Sequence, residues 1–353
     1  MFIFQGEKNG DYALDKTLVR FMLAIMTSPK QAAKPEADDL TLMKIMQRFS
    51  TEESARGYFE AMRWPNGPVC PHCGNCDRAR VYAVAPNTEK KIRAGLYKCA
   101  ECKGQFTVTM GTVMEDSHIP LNKWLISFYI ICASKTQVSA LQLQRQLELG
   151  SYRTAWFLCH RIRFSLANAT PEDQLDGVIE ADETYVGGKK RGHGRAYVGN
   201  KTAVVSLVER DGRVRSTVVE MVNGQEIARL LKKQASLDAN LNTDESRLYK
   251  KVGKEFASHD VVNHSREEYS RRDYMTGRIA TTNTVEGFFG NSKRALDGTH
   301  HHISKAHAGL YFSELDYKYN TRKVSDGKRT ALGIQQMTGK RLMLRRPKNN
   351  ISE

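Results

Sequence analysis

Two C-x-x-C pairs, Cys70-Pro-His-Cys73 and Cys99-Ala-Glu-Cys102, stand 25 residues apart and constrain the fold more than any other feature of this chain. Each pair can hold two thiolates on one tight turn. Together they complete a tetrahedral sulfur shell suited to structural zinc, with Zn–S bonds of about 2.3 Å. The interval is slightly longer than the commonest ribbon spacing, and it reads as a hairpin. Arg80 to Ala85 is strand-like, Pro86-Asn87-Thr88 is a turn, and Ala94 to Lys98 returns. Disulfides are the competing arrangement, and the absence of a secretory signal pattern argues against them. Cys76 adds a third thiol to the first knuckle. Pro71 and Gly74 shape that knuckle around Cys70 and Cys73, which are therefore the expected ligands with Cys99 and Cys102.

A ribbon of this kind says little about chemistry, so charge carries the next step. The chain has 54 Lys and Arg against 39 Asp and Glu, a net charge of +15 over 353 residues. That excess favours a polyanionic partner, which is nucleic acid unless membrane features appear. None does: the longest apolar run, Trp124 to Ala133, is about ten residues, too short to span a bilayer. Seven cysteines without a secretion signal point to a reducing cytoplasm.

Composition shifts divide the chain into five expected parts. Residues 1–45 read as an N-terminal extension or linker. Residues 46–115 read as a helix plus the ribbon, the helix opened by Ser50 in a capping-box pattern and running to about Met62. Residues 116–170 read as helical, with Gly150-Ser151 stopping one helix and capping the next, from Tyr152 to about Leu166. That pairing resembles a helix-turn-helix DNA-binding region. Arg153 and Thr154 would enter a groove, and Arg161 and Arg163 would reach phosphates. A plain helical bundle with a solvated basic face is the other reading.

Residues 171–320 change to a mixed α/β pattern. Strands are expected at Val178–Val186, Thr202–Val208 and Val214–Glu220, the last two joined through Asp211-Gly212. Asn223 should cap a helix through Gln234. A fourth strand should end at Thr243-Asp244, a helix should run from Ser246 to about Phe256, and Asp260–Asn263 should be a fifth strand. The loop after the first strand carries Lys189, Lys190 and Arg191, candidate DNA contacts. Residues 321–353 hold nine Lys and Arg against Asp326 and Glu353 and read as a basic tail, lying on phosphates or mobile near them.

Three acidic residues stand out by position. Asp182 sits in the first strand, Asp244 ends the fourth, and Glu286 lies on an expected helix spanning Thr281 to Arg294. If the two strands are neighbours, the carboxylates converge and repel one another, unless divalent cations lie between them. Two Mg²⁺ or Mn²⁺ ions about 3.5–4 Å apart would then serve phosphoryl chemistry. Lys293, seven residues after Glu286, shares its helix face, as does Asn283. The competing readings are a surface strand residue, a helix N-cap and an exposed polar face.

Met62-Arg-Trp-Pro-Asn-Gly-Pro-Val-Cys-Pro-His-Cys-Gly74, Glu180-Ala-Asp-Glu-Thr-Tyr-Val-Gly-Gly188 and Asn283-Thr-Val-Glu-Gly-Phe-Phe-Gly-Asn-Ser-Lys293 resemble bacterial insertion-sequence transposases of the zinc-ribbon, ISXO-like DDE group (the IS fifteen-ninety-five family). Gly298 to His307 and Tyr317-Lys-Tyr-Asn-Thr-Arg322 resemble the same family's C-terminal pattern, and the likeness covers roughly residues 45–325. It implies a ribonuclease-H-like catalytic domain with Asp182, Asp244 and Glu286 as magnesium or manganese ligands and Lys293 as the associated cation. Asn283 remains a contender for the third ligand. It further implies binding of terminal inverted repeats, strand cleavage and strand transfer, with two or more copies in the synaptic complex. A zinc-ribbon regulator, or a nuclease without strand transfer, is the alternative. The histidines His300 to His302 and His307 lack the clean spacing of a second metal site.

Overall fold

Side chains with a local oxygen set most helix starts in the computed structural model, which describes residues 40–167, 174–187 and 201–344. Thr41, Thr51, Ser139, Ser151, Asn223 and Ser325 each accept the backbone N–H three residues ahead, satisfying a donor that the helix itself leaves orphaned. They open α1 (Leu42–Arg48), α2 (Glu52–Arg63), α4 (Ala140–Gln146), α5 (Tyr152–Leu166), α6 (Gly224–Gln234) and α9 (Asp326–Gln335). The cap expected at Ser50 is therefore Thr51, one residue on. α3 (Leu121–Ala133) starts after Pro120 without a side-chain cap.

Between α2 and α3 lies the ribbon, a small antiparallel sheet of β1 (Val81–Ala83), β2 (Tyr97–Cys99) and β3 (Gln105–Phe106). Its apolar side chains do not close on themselves. Val81, Phe106 and Val108 join one core with α2, α3, α4, α5 and α9, so ribbon and helical region are a single packed body. α9 matters here. Ala331 and Ile334 are buried in that core with Met337, so the expected basic tail is, over Asp326–Gln335, a structural helix.

The catalytic-type sheet has strand order β6-β5-β4-β7-β8, formed by β4 (Val178–Val186), β5 (Thr202–Glu209), β6 (Val214–Val219), β7 (Asn240–Thr243) and β8 (Ser258–Val261). β4, β5 and β6 are antiparallel, while β7 runs parallel to β4 and β8 parallel to β7. This is the ribonuclease-H-like arrangement. Alternation along β4 sends Ile179 and Ala181 to the α6 side. Val186 faces α7 (Asn283–Thr299) and α8 (Ala308–Asn320) on the other side. The outer edge of β6 is covered by α8. Asn320 accepts the Val214 N–H at 2.7 Å and Asp316 accepts the Ser216 N–H at 2.7 Å, which closes an otherwise open pairing edge.

Two departures follow from local competition. The helix expected from Ser246 to Phe256 is turns and a short 3-10 segment, Val252–Glu255. Asp244 and Ser246 side chains take the N–H groups of Ser246 and Leu248, which diverts the backbone from an α-helix. Before α7, an unexpected hairpin of β9 (Ser270–Arg272) and β10 (Ile279–Thr281) intervenes. Among the described residues no helix is long and apolar enough to cross a membrane.

Candidate active site

Parallel pairing of β4 with β7 sets Glu180 opposite Asn242. That is the last paired position, and Asp182 and Asp244 each lie two residues beyond it. Glu180 and Asp182 share a strand face by the two-residue period, and α7 covers that face. Glu180 is fully buried. Its Oε2 accepts the N–H groups of Thr284 at 2.7 Å and Val285 at 3.1 Å, and its Oε1 accepts the Thr284 hydroxyl at 2.9 Å. A carboxylate at a helix N-terminus satisfies both the orphan donors and the helix dipole. Arg210 balances its charge through Nη2 at 2.9 Å and Nε at 3.1 Å. The residue after Val285, on the same first turn of α7, is Glu286.

Glu286 is exposed. Its Oε1 accepts the Thr282 hydroxyl at 2.8 Å and lies 3.1 Å from His264 Nε2. His264 is itself positioned by Glu245, whose carboxylate takes the backbone N–H groups of His264 at 3.0 Å and Ser265 at 3.2 Å. Glu183 points to the opposite face and accepts the hydroxyl of buried Tyr249 at 2.6 Å.

Burial pushes the Asp182 carboxyl up to about 7, and the neighbouring charges of Glu183, Asp244 and Glu286 add to the rise. Asp244 and Glu286 are thus both close enough to oppose the ionisation of Asp182. Their oxygens are more widely spread than a closed metal shell, since among the described residues only the four cysteines gather ligand atoms within 4.8 Å. An all-oxygen donor set with mutual repulsion fits hard divalent cations such as Mg²⁺ or Mn²⁺. Asp244 Oδ1 accepts the Ser246 N–H at 3.0 Å and so also caps a turn. Asn283 is exposed on the first turn of α7. Lys293 lines a cavity of about 90 Å³ with Tyr185, Gly187, Asp297, His301 and His302.

In the ribbon, Cys70 Sγ lies 3.6 Å from Cys102 Sγ and Cys73 Sγ lies 3.7 Å from Cys99 Sγ. A ZnS4 tetrahedron with bonds of about 2.3 Å has edges of about 3.8 Å, so the four thiols fit zinc. Cys76 stands outside the cluster, exposed.

The predicted DNA contacts divide. Arg153 and Thr154 are exposed at the start of α5, beside a cavity of about 500 Å³ that also meets Phe157 and Arg341. Arg161 and Arg163 are buried and do not face DNA. Arg161 donates to the Glu115 carbonyl and packs over Trp124 and Phe157. Arg163 pairs with buried Glu314 at 2.7 Å and stacks 4.2 Å from the Tyr311 ring. Helical spacing alone placed them on a basic face, but α8 covers Arg163 and Arg161 turns to Glu115 and Trp124. Lys189, Lys190 and Arg191 lie outside the described residues. The histidines disperse: His307 packs on Trp156 and His300 on Tyr311, whereas His301 and His302 face Lys293.

Glu180, Glu245 and His264 were missed by sequence reasoning. Only Glu180 left a signal, since its spacing from Asp182 puts a second carboxylate on the same buried strand face.

Residues 174–320 match a family model described as an ISXO2-like transposase domain, and residues 50–105 match a transposase zinc-ribbon domain. An uncharacterized protein in transposable element ISH50 of Halobacterium salinarum is 28% identical over 290 residues, spanning 74% of this chain and 89% of that protein. Among solved structures, a simian T-cell lymphotropic virus intasome in complex with PP2A regulatory subunit B56 gamma matches 55% of this chain and 70% of its own at 10% identity and a TM-score of 0.27. The Mos1 transposase paired-end complex with left transposon end matches 59% and 77% at 13% identity and a TM-score of 0.19. At those scores the two structural likenesses carry no argument.

Proposed function

Because this chain belongs to the transposases that join a zinc ribbon to an ISXO2-like catalytic domain, we propose that Asp182, Asp244 and Glu286 are its catalytic carboxylates. The observation that supports this reading is that Asp244 and Glu286 both lie near enough to Asp182 for their charges to raise its carboxyl, where β4 pairs with β7 under the helix that bears Glu286. Divalent cations held there would activate an attacking oxygen and stabilise a leaving one.

The chain's own residues supply position. Glu180 fixes α7 against β4, His264 and Thr282 aim Glu286, and Lys293 offers a cation to a DNA phosphate. The reaction is an in-line displacement at phosphorus: a water oxygen bonds to phosphorus, the bond to the 3′ oxygen breaks, and a 3′-hydroxyl leaves. In the second displacement that hydroxyl attacks a target phosphodiester and its bond to the neighbouring 3′ oxygen breaks. No covalent link to the protein forms. Arg153 and Thr154, with the ribbon of residues 46–115 and the helices of 116–170, would hold the terminal inverted repeats. Joining two ends calls for at least two copies.

The test uses the full chain with a duplex carrying the repeats that bracket its gene. Asp182→Asn should abolish cleavage in Mg²⁺ and in Mn²⁺ while end binding, read by mobility shift, stays within a few-fold. Retained cleavage overturns the assignment. Joining of pre-cut ends into plasmid DNA separates transposition from simple nuclease action.

A further inference from the structure

The β9–β10 hairpin occupies the chain between Asp244 and Glu286, and its base is tied to both. Asn242, two residues before Asp244, donates through Nδ2 to the carbonyls of Ile279 and Thr281, each at 3.3 Å. Arg210, which also holds Glu180, donates to the Ile279 carbonyl at 3.0 Å. Thr281 then leads into α7 within two residues. Whatever the tip touches is therefore held at a set place relative to the acids.

The tip is a closed turn. Asp273 Oδ1 accepts the N–H groups of Met275 at 2.8 Å and Thr276 at 3.2 Å. The Asp273 N–H donates to the Arg278 carbonyl at 2.8 Å, and the Gly277 N–H to the Asp273 carbonyl at 2.8 Å. Gly277 takes φ +71°, a conformation that favours glycine. This turn presents Tyr274, 89% exposed, and Met275, 95% exposed, the two most exposed large apolar side chains among the described residues. A turn so fully bonded does not fold them back onto the protein, so their apolar surface is relieved only by a partner.

Charge indicates which partner. Arg272, which ends β9 beside the tip, and Arg266, ahead of the hairpin, are exposed and have no ion-pair partner among the described residues. Arg271 and Arg278 flank it, paired with Glu268 at 3.1 Å and Asp260 at 3.5 Å. Apolar side chains with basic neighbours are the make-up of wedges that enter a base step while arginines hold the phosphates.

We propose that this hairpin is a DNA wedge: Tyr274 and Met275 enter the duplex beside the scissile phosphate and unstack it, with Arg266 and Arg272 on the flanking backbone. Unstacking frees the strand to reach the carboxylates. The inference rests on the transposase reading above. Its occupant is duplex DNA rather than a second copy of the chain.

The test places 2-aminopurine at each base flanking the cut in a duplex carrying the bracketing repeats, and reads its fluorescence on binding of the full chain without added divalent metal. Wild type should raise the signal at one flanking position. Read at saturating protein, Tyr274→Ala should cut that rise about fivefold or more, and Tyr274→Trp should keep it. A rise unchanged in Tyr274→Ala, or no rise in wild type, overturns the wedge. Loss of self-association in Tyr274→Ala with the fluorescence rise intact assigns the tip to a second copy and overturns it too. Because the signal needs no cleavage, it judges the hairpin alone. Retained cleavage by Asp182→Asn strikes the catalytic assignment instead.

Discussion

The Glu180 carboxylate accepts the backbone N–H of Thr284 at 2.7 Å, so the strand that carries Asp182 is also the N-terminal anchor of the helix that carries Glu286. Removing that anchor strands Arg210 and two helix donors in a buried place. Glu180→Ala should cost about 3–5 kcal/mol. Glu180→Gln, which keeps the shape but brings an NH₂ towards those donors, should cost about 1–3 kcal/mol. Cleavage by Glu180→Gln should fall about 100-fold at a temperature where circular dichroism shows it folded, because misplaced catalytic groups lose rate on that order. Wild-type cleavage by the folded variant would show that the anchor does not set the geometry of the acids.

His264 lies 3.1 Å from Glu286 Oε1 and shares Thr282 with it. In the proposed site it would aim the carboxylate. His264→Ala should weaken the apparent affinity for Mn²⁺, or the cleavage rate, by about 10–100-fold. His264→Gln, which can still donate at a similar reach, should recover most of it. The measurement is cleavage against Mn²⁺ concentration, and an unchanged curve for His264→Ala removes His264 from the site.

Cys73 and Cys76 differ in one respect that zinc content reads directly. Cys73 lies within the four-thiol cluster and Cys76 does not. Cys76→Ser should keep one zinc per chain by atomic absorption. Cys73→Ser should lose it and destabilise the ribbon, since binding and folding of such modules are linked. The ribbon shares its core with α2 and α3, so the loss should also lower the melting temperature of the helical region.

How far the chain was readable depends on what kind of force places each residue. Caps and knuckles are local: Ser151 and Asn223 cap their helices as spacing requires, and the cysteine cluster follows from two short motifs. The strands bearing the acids were legible because strand patterning located them, with Asp182 inside β4 and Asp244 just past β7, while their adjacency stayed a condition until the sheet order supplied it. Tertiary burial was not. Arg161 and Arg163 look like a basic helix face until α8 supplies Glu314 and Tyr311 to cover Arg163. The β9–β10 hairpin was missed because its strands are three residues each and mostly exposed, leaving no alternating apolar pattern to find.

Arg153 and Arg163, ten residues apart on one helix, should separate cleanly by experiment. Arg163→Ala leaves Glu314 buried with one partner fewer and should cost about 3–5 kcal/mol in denaturant unfolding. Arg153→Ala should leave stability unchanged. It should weaken DNA binding and lower the slope of log affinity against log salt by about one. A stable Arg163→Ala, or an unchanged salt slope for Arg153→Ala, would reverse the two roles.

Asp316 gives a pH dependence independent of the metal site. Burial pushes its carboxyl up to about 7, although two hydrogen bonds from Ser216 pull the other way. The folded state therefore binds this proton more tightly than the unfolded chain. The stabilisation is full below the unfolded value of 3.8 and is lost as pH rises through about 7. Asn resembles the protonated form, since its oxygen can accept the Ser216 N–H while its NH₂ donates to Ser216 Oγ. Asp316→Asn should then match wild type only near pH 3.8 and below, and exceed it by a margin that widens from pH 5 towards pH 8. Each kcal/mol of difference should appear as roughly 2–4 °C in melting temperature. Scans of both proteins from pH 5 to 8 check this, and a gap that is constant across that range would mean Asp316 stays ionised in the fold.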